Sequence, residues 1–76
     1  MMLPVSQNSK ALLGKTIRNR RMELDLSQEE LAERADLHRT YVGGVERGER
    51  NVSLENIVRI AHALQIVPSQ LLERIE

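Results

Sequence analysis

Residues 26–51 read LSQEELAERADLHRTYVGGVERGERN, and the rest of the 76-residue chain is organised around them. Ser27 is followed three residues later by Glu30. In that spacing each side chain caps the other's backbone N–H, so a helix is expected to begin at Gln28. Along it Leu31, Ala32 and Ala35 fall on one side, with Glu29, Glu30, Glu33 and Arg34 on the other. Asp36-Leu37-His38 interrupts the pattern over too few residues for a long loop. A second helix is expected from Arg39 to Arg47, stopped by Gly48.

Turning each residue by about 100° around this second helix sorts it into two sides. Tyr41, Val42 and Val45 share one side and face the core, while Arg39, Thr40, Gly43, Gly44 and Arg47 share the other. A glycine inside a helix costs about 1 kcal/mol relative to alanine, so an adjacent pair needs a surface pressed close to the backbone. That surface is either an outside partner or another helix of the same domain. Both glycines point away from the apolar side, which favours the outside partner.

Composition narrows the class. Seventy-six residues allow one domain near the lower limit for an unaided core. With Tyr41 as the sole aromatic, that core must be aliphatic. The chain has no cysteine, which removes disulfides and thiolate metal sites and fits a cytoplasmic setting. No apolar run approaches the roughly 18 residues needed to span a membrane, and Met1-Met2 is too little for a signal peptide. A second domain for a small-molecule effector is not expected. Formal net charge is zero, but the charges are segregated. Lys10 to Asp25 holds five basic and two acidic residues, whereas Glu29 to Asp36 holds one basic and four acidic. A polarised molecule of this kind is compatible with a polyanionic partner, with a modest dependence on salt.

Outside the central stretch, residues 1–7 contain Pro4 and no periodicity and read as a flexible arm, leaving 8–76 as the domain. Ser6 or Ser9 is expected to cap the first helix, in which Leu13, Ile17 and Leu24 recur at helical spacing and Gly14 slightly weakens the start. Arg21 lies near that apolar side, so its charge needs a partner. Glu46, at the edge of the apolar side of the Arg39–Arg47 helix, can supply it; two independent surface charges are the alternative. Ser53 caps a fourth helix with Leu54, Ile57, Ile60, Ala61 and Leu64 on one face, and His62 on the polar face reads as solvent-exposed. Pro68 suits the first position of a fifth helix, with Leu71, Leu72 and Ile75 on its apolar side. With Ile66 and Val67, five large aliphatics crowd the last eleven residues. Either they all cap the monomer core or some form a patch that seeks a partner.

The run from Gln28 to Gly48 resembles the helix-turn-helix of the phage-repressor-like (Cro/repressor, xenobiotic-response-element) regulators. Ser27 to Ala32 (SQEELA) and Glu46 to Gly48 (ERG) carry the likeness. It extends from about Leu13 to Leu72. Within the family, Arg39-Thr40-Tyr41 together with Glu49-Arg50-Asn51 is most similar to the controller proteins of restriction–modification systems. The resemblance implies an all-α, five-helix lambda-repressor-like DNA-binding domain, its helix-turn-helix formed by helices 2 and 3. It implies a homodimer on double-stranded operator DNA, with half-sites about 10 base pairs apart. Arg39 is then placed to fork onto guanine and Thr40 to meet a thymine methyl or base edge. Gly43 and Gly44 leave room for the groove wall, and Arg50 reaches a further base edge. Ser27, Gln28, Tyr41, Arg47 and Asn51 become backbone contacts, helped by the amides that open the second helix. The family also pairs an arginine with a glutamate at the positions of Arg21 and Glu46. It dimerises through the C-terminal region, which here offers Ile66, Val67, Leu71, Leu72 and Ile75. In members that activate transcription, the face holding Glu29, Glu30 and Glu33 meets the RNA polymerase sigma subunit. Solubility and matching of the helix dipole are the plainer account of that face.

No cofactor, metal, membrane or small-molecule ligand is expected. Phage-type repressors and antitoxin-type regulators remain alternatives to a controller. A different class, a protein-interaction module without DNA, would have to use the Arg39, Thr40, Gly43, Gly44 face, which lacks the exposed aromatic of a protein hot spot. An enzyme is disfavoured: His38 and His62 lie on separate segments, and the chain has no cysteine nucleophile, phosphate loop or H-E-x-x-H.

Overall fold

The computed structural model describes residues 8–75, which form five α-helices and no strand. They are α1 (Asn8–Glu23), α2 (Gln28–Ala35), α3 (Arg39–Glu46), α4 (Leu54–Ala63) and α5 (Pro68–Leu72). The expected flexible arm at 1–7, with Ser6, lies outside the described residues. Ser9 falls inside the first turn of α1 and is not its cap.

The helix starts follow local chemistry. Ser27 Oγ accepts the Glu30 N–H at 3.0 Å while Glu30 Oε1 accepts the Ser27 N–H at 3.0 Å, completing the reciprocal cap of α2. Hydrogen bonding from Ser27, the backbone N–H first and the side chain second, holds the Glu30 carboxyl below its ordinary pKa. Ser53 Oγ accepts the Asn56 N–H at 3.2 Å to open α4, and Pro68 stands at the start of α5.

The helix ends share one device. After α1, α2, α3 and α4 a single residue enters the left-handed region: Asp25 (φ 56°), Asp36 (57°), Gly48 (76°) and Gln65 (60°). The next N–H then reaches back to the last turn, as Leu26 to Arg21 O, Leu37 to Ala32 O, Glu49 to Gly44 O and Ile66 to Ala61 O. Only α3 uses glycine for this. It ends at Glu46, one residue short of the expected Arg47, whose φ of −81° and ψ of −2° begin the exit.

Ile17, Leu31, Val42, Val45, Ile60, Leu64 and Leu71 are fully buried, each contributing roughly 1.5–3 kcal/mol. Two expectations change here. Leu54, placed on the apolar face of α4, is 73% exposed because it opens the helix beyond the edge of the core. Leu71, counted among residues seeking a partner, is 1% exposed and belongs to the monomer core. Among the described residues no helix is long and apolar enough to cross a membrane.

Gly14 has a larger role than a weakened helix start. A Cβ there would lie 2.5 Å from Glu46 O and collide with the Val45 carbonyl. Glycine is what allows α1 and α3 to approach backbone to backbone.

Candidate nucleic-acid interface

Helix α3 is fixed on its inner side by an ion pair across the seam with α1. Arg21 Nε donates to Glu46 Oε2 at 2.7 Å and Arg21 NH2 to Glu46 Oε1 at 3.0 Å. The remaining fork nitrogen, NH1, donates to Leu26 O at 2.7 Å, and Gln28 Nε2 donates to Glu46 Oε1 at 3.1 Å. The pair is nearly enclosed, with side chains 13% and 3% exposed, and the bond to Glu46 raises the Arg21 pKa. Four groups therefore tie α1, the α1–α2 turn, α2 and α3 into one frame.

The outer side of α3 is built differently. Arg39 and Thr40 stand exposed at its first turn, and among the described residues neither has a hydrogen-bonding or ionic partner. With Gln28, Gly43 and Arg47 they line an open depression of about 250 Å³. Gly43 and Gly44 do lie on this side, but they are roofed rather than bare. A Cβ on Gly43 would meet Arg47 NH1 at 3.1 Å and Gln28 Oε1 at 3.4 Å. One on Gly44 would meet Arg50 Cγ and Nε, each at 3.2 Å. The covering groups are ends and stems of flexible side chains, not helix backbone, which disposes of the internal helix–helix packing considered for this glycine pair.

The depression thus collects Gln28, Arg39, Thr40, Gly43 and Arg47, with Arg50 laid over Gly44 beside it. The Arg50 guanidinium sits 5.8 Å from the Tyr41 ring centre, and the Tyr41 hydroxyl accepts Asn56 Nδ2 at 3.1 Å. Ser27 and Asn51 are exposed on the adjoining cap and loop.

The outer side also carries an ion pair that the sequence reading does not anticipate. Arg47 is held by Glu49, Nε to Oε2 at 2.9 Å and NH2 to Oε1 at 3.3 Å, both side chains 58% exposed. The hydrogen bonds from Arg47 hold the Glu49 carboxyl below the ordinary glutamate range. The adjacency of charges at 47 and 49 was visible in sequence, but the fork geometry depends on the left-handed turn at Gly48.

Chemically, this surface offers the planar cations of Arg39 and Arg47 on one side of a helix, with the Thr40 hydroxyl and the Gln28 amide beside them. It is suited to reading a grooved polyanion.

Comparison with known proteins agrees. A helix-turn-helix family pattern matches residues 17–72. The control protein C.BamHI of Bacillus amyloliquefaciens is 46% identical over 70 residues, covering 91% of this chain and 86% of that protein. The structure of the restriction–modification controller protein C.AhdI from Aeromonas hydrophila superposes with a TM-score of 0.80 at 52% identity, over 82% of this chain and 94% of that one. That of the controller C.Esp1396I, a tetramer on its natural 35-base-pair operator, gives 0.77 at 30% identity over 84% of each. The chain belongs to the helix-turn-helix family of DNA-binding transcription regulators, and its relatives include restriction–modification controller proteins.

Proposed function

We propose that this chain is a homodimeric, sequence-specific controller that acts on its own promoter and on a neighbouring restriction gene in the cytoplasm. The observation that carries the reading is the outer side of α3. Arg39 and Thr40 are exposed at the first turn, without partners among the described residues, where a helix entering the major groove meets base edges. Arg39 forks onto guanine O6 and N7, Thr40 and Arg50 read neighbouring positions, and Gly43 and Gly44, instead of meeting the groove wall themselves, leave room for the Gln28, Arg47 and Arg50 side chains that lie over them. Ser27, Gln28, Tyr41, Arg47 and Asn51 hold the phosphates on either side. The similarity to C.BamHI and C.AhdI supports a controller, and the operator-bound tetramer of C.Esp1396I supports assembly on DNA.

The dimer seam runs through the C-terminal region. Val67 and Leu72 are exposed there, 57% and 37%, flanked by half-buried Ile66 and Ile75. Regulation follows concentration, because dimers and not monomers span two half-sites. Glu29 and Glu33 on the exposed side of α2 face the polymerase sigma subunit, while the Glu30 carboxylate is already occupied by its cap.

Footprinting upstream of the chain's own gene locates the operator, and Arg39→Ala then tests the reading. Operator affinity falls about ten- to a hundredfold and preference flattens at one base pair per half-site, while affinity for scrambled duplex changes far less. An equal loss on both duplexes, with the salt slope lower by about one, would move Arg39 to a phosphate and base reading to Thr40 and Arg50.

A further inference from the structure

Three residues from three separate segments are joined beside the outer side of α3. Asn56 belongs to the first turn of α4, where Ser53 Oγ accepts its backbone N–H at 3.2 Å. Its side-chain Nδ2 donates to the Tyr41 hydroxyl on α3 at 3.1 Å. Above the Tyr41 ring lies the guanidinium of Arg50 from the loop after α3, 5.8 Å from the ring centre. The Arg50 stem occupies the space that a Gly44 side chain would fill. Asn56 and Tyr41 are half-buried, whereas Arg50 is exposed.

A phenol has one hydrogen to give and accepts through the same oxygen. When Asn56 fills the acceptor position, the hydroxyl hydrogen must point elsewhere, as a donor. A cation within about 6 Å of a ring face is also held by the ring's quadrupole, so a fixed Tyr41 ring restricts where Arg50 rests. An arginine restricted before binding loses less freedom when it meets a base edge. Both effects begin at Asn56, which bonds the hydroxyl and not the ring face and was not among the residues expected to serve the interface.

We propose that Asn56 is a positioning residue for DNA recognition: by donating to the Tyr41 hydroxyl it turns that group into a phosphate donor and fixes the ring that carries Arg50. The inference rests on the reading above that Tyr41 and Arg50 face DNA. It predicts that α4, through its capped first turn, sets the chemistry of a helix-turn-helix to which it does not belong.

The test is a double-mutant cycle on the full chain, using the footprinted operator and a scrambled duplex. Asn56→Leu and Tyr41→Phe each weaken operator binding about three- to tenfold, and the double variant binds no worse than Tyr41→Phe alone. Thermal melting confirms that all variants fold. Asn56→Asp separates positioning from packing, because it keeps the size of the side chain but only accepts. It turns the hydroxyl hydrogen inward, so its cost on operator binding exceeds the cost of the same change in the Tyr41→Phe background, which reads the added charge alone. Equal losses from Asn56→Leu in both backgrounds overturn the inference, as does wild-type binding by Asn56→Leu when Tyr41→Phe is impaired. Wild-type binding by Tyr41→Phe instead overturns the placement of Tyr41 against DNA, and the inference with it.

Discussion

The two sides of α3 contain the same parts and use them in opposite ways. Each has an arginine–glutamate fork, Arg21–Glu46 inside and Arg47–Glu49 outside, and each has glycine where something passes close to the helix. On the inner side the fork is nearly enclosed and the glycine, Gly14 of α1, meets carbonyl groups that cannot move without moving a helix. On the outer side the fork is open to solvent, Gly43 meets the Arg47 guanidinium and the Gln28 amide, and Gly44 meets the Arg50 side chain. The difference teaches that residue type does not settle whether a group is structural. What decides is whether its neighbour is backbone or the end of a flexible chain.

The largest expected effect lies on the inner side. Glu46→Ala leaves the Arg21 charge half-buried with only Leu26 O as a partner and removes the acceptor of Gln28, so unfolding in urea should show a loss of about 3 kcal/mol. A loss below about 1 kcal/mol would place this fork in the same class as the exposed one and break the comparison. Gly14→Ala follows, at roughly 2–3 kcal/mol, because α1 must withdraw from the Val45 and Glu46 carbonyls. Its chemical denaturation midpoint reads the effect directly, and an unchanged midpoint would mean that the seam is soft.

Gly44→Ala is the outer counterpart. Helix propensity favours alanine by about 1 kcal/mol, and the obstacle is only the Arg50 stem, so stability should stay the same or rise. Operator binding should nevertheless weaken severalfold in gel-shift titrations, since Arg50 is displaced. Stability and affinity moving in opposite directions is the signature of the outer side. Smallest of all is Glu49→Gln, which leaves the denaturation midpoint in place because exposed ion pairs are screened by solvent. It frees the charge of Arg47, so affinity for any duplex rises modestly and the salt slope steepens by about one. An unchanged slope would show that Arg47 stays off the phosphates.

What the sequence discloses follows the same division. Signals between close neighbours in the chain read correctly: the reciprocal cap of Ser27 and Glu30, the Ser53 cap, Pro68 at the start of α5, and the two sides of α3 by periodicity. For Arg21 and Glu46 the residues alone leave two independent surface charges open, and the family resemblance points to the pair that the structure shows. Gly14 was misjudged because the reason for it lies over thirty residues away in the carbonyls of α3, and no property of its own neighbours reveals that approach. Leu54 was misplaced because periodicity gives an angle around a helix but not how far along the helix the core extends. Asn56 raises no expectation in the sequence, since its donor role exists only once α4 is folded against α3. Three of the four helix exits were equally hidden, as Asp25, Asp36 and Gln65 adopt a conformation usually reserved for glycine.

Tyr41 is the only aromatic residue in the chain, and it lies beside the outer side of α3, under Arg50 and against Asn56. The tyrosine emission of the whole protein therefore comes from one ring within the proposed DNA-reading surface. A fluorescence titration needs no label, no added tryptophan and no correction for distant chromophores. If that surface binds nucleic acid, the molecule carries its own optical reporter, and a change in emission beyond the nucleic acid's own absorption reports on the surroundings of that ring.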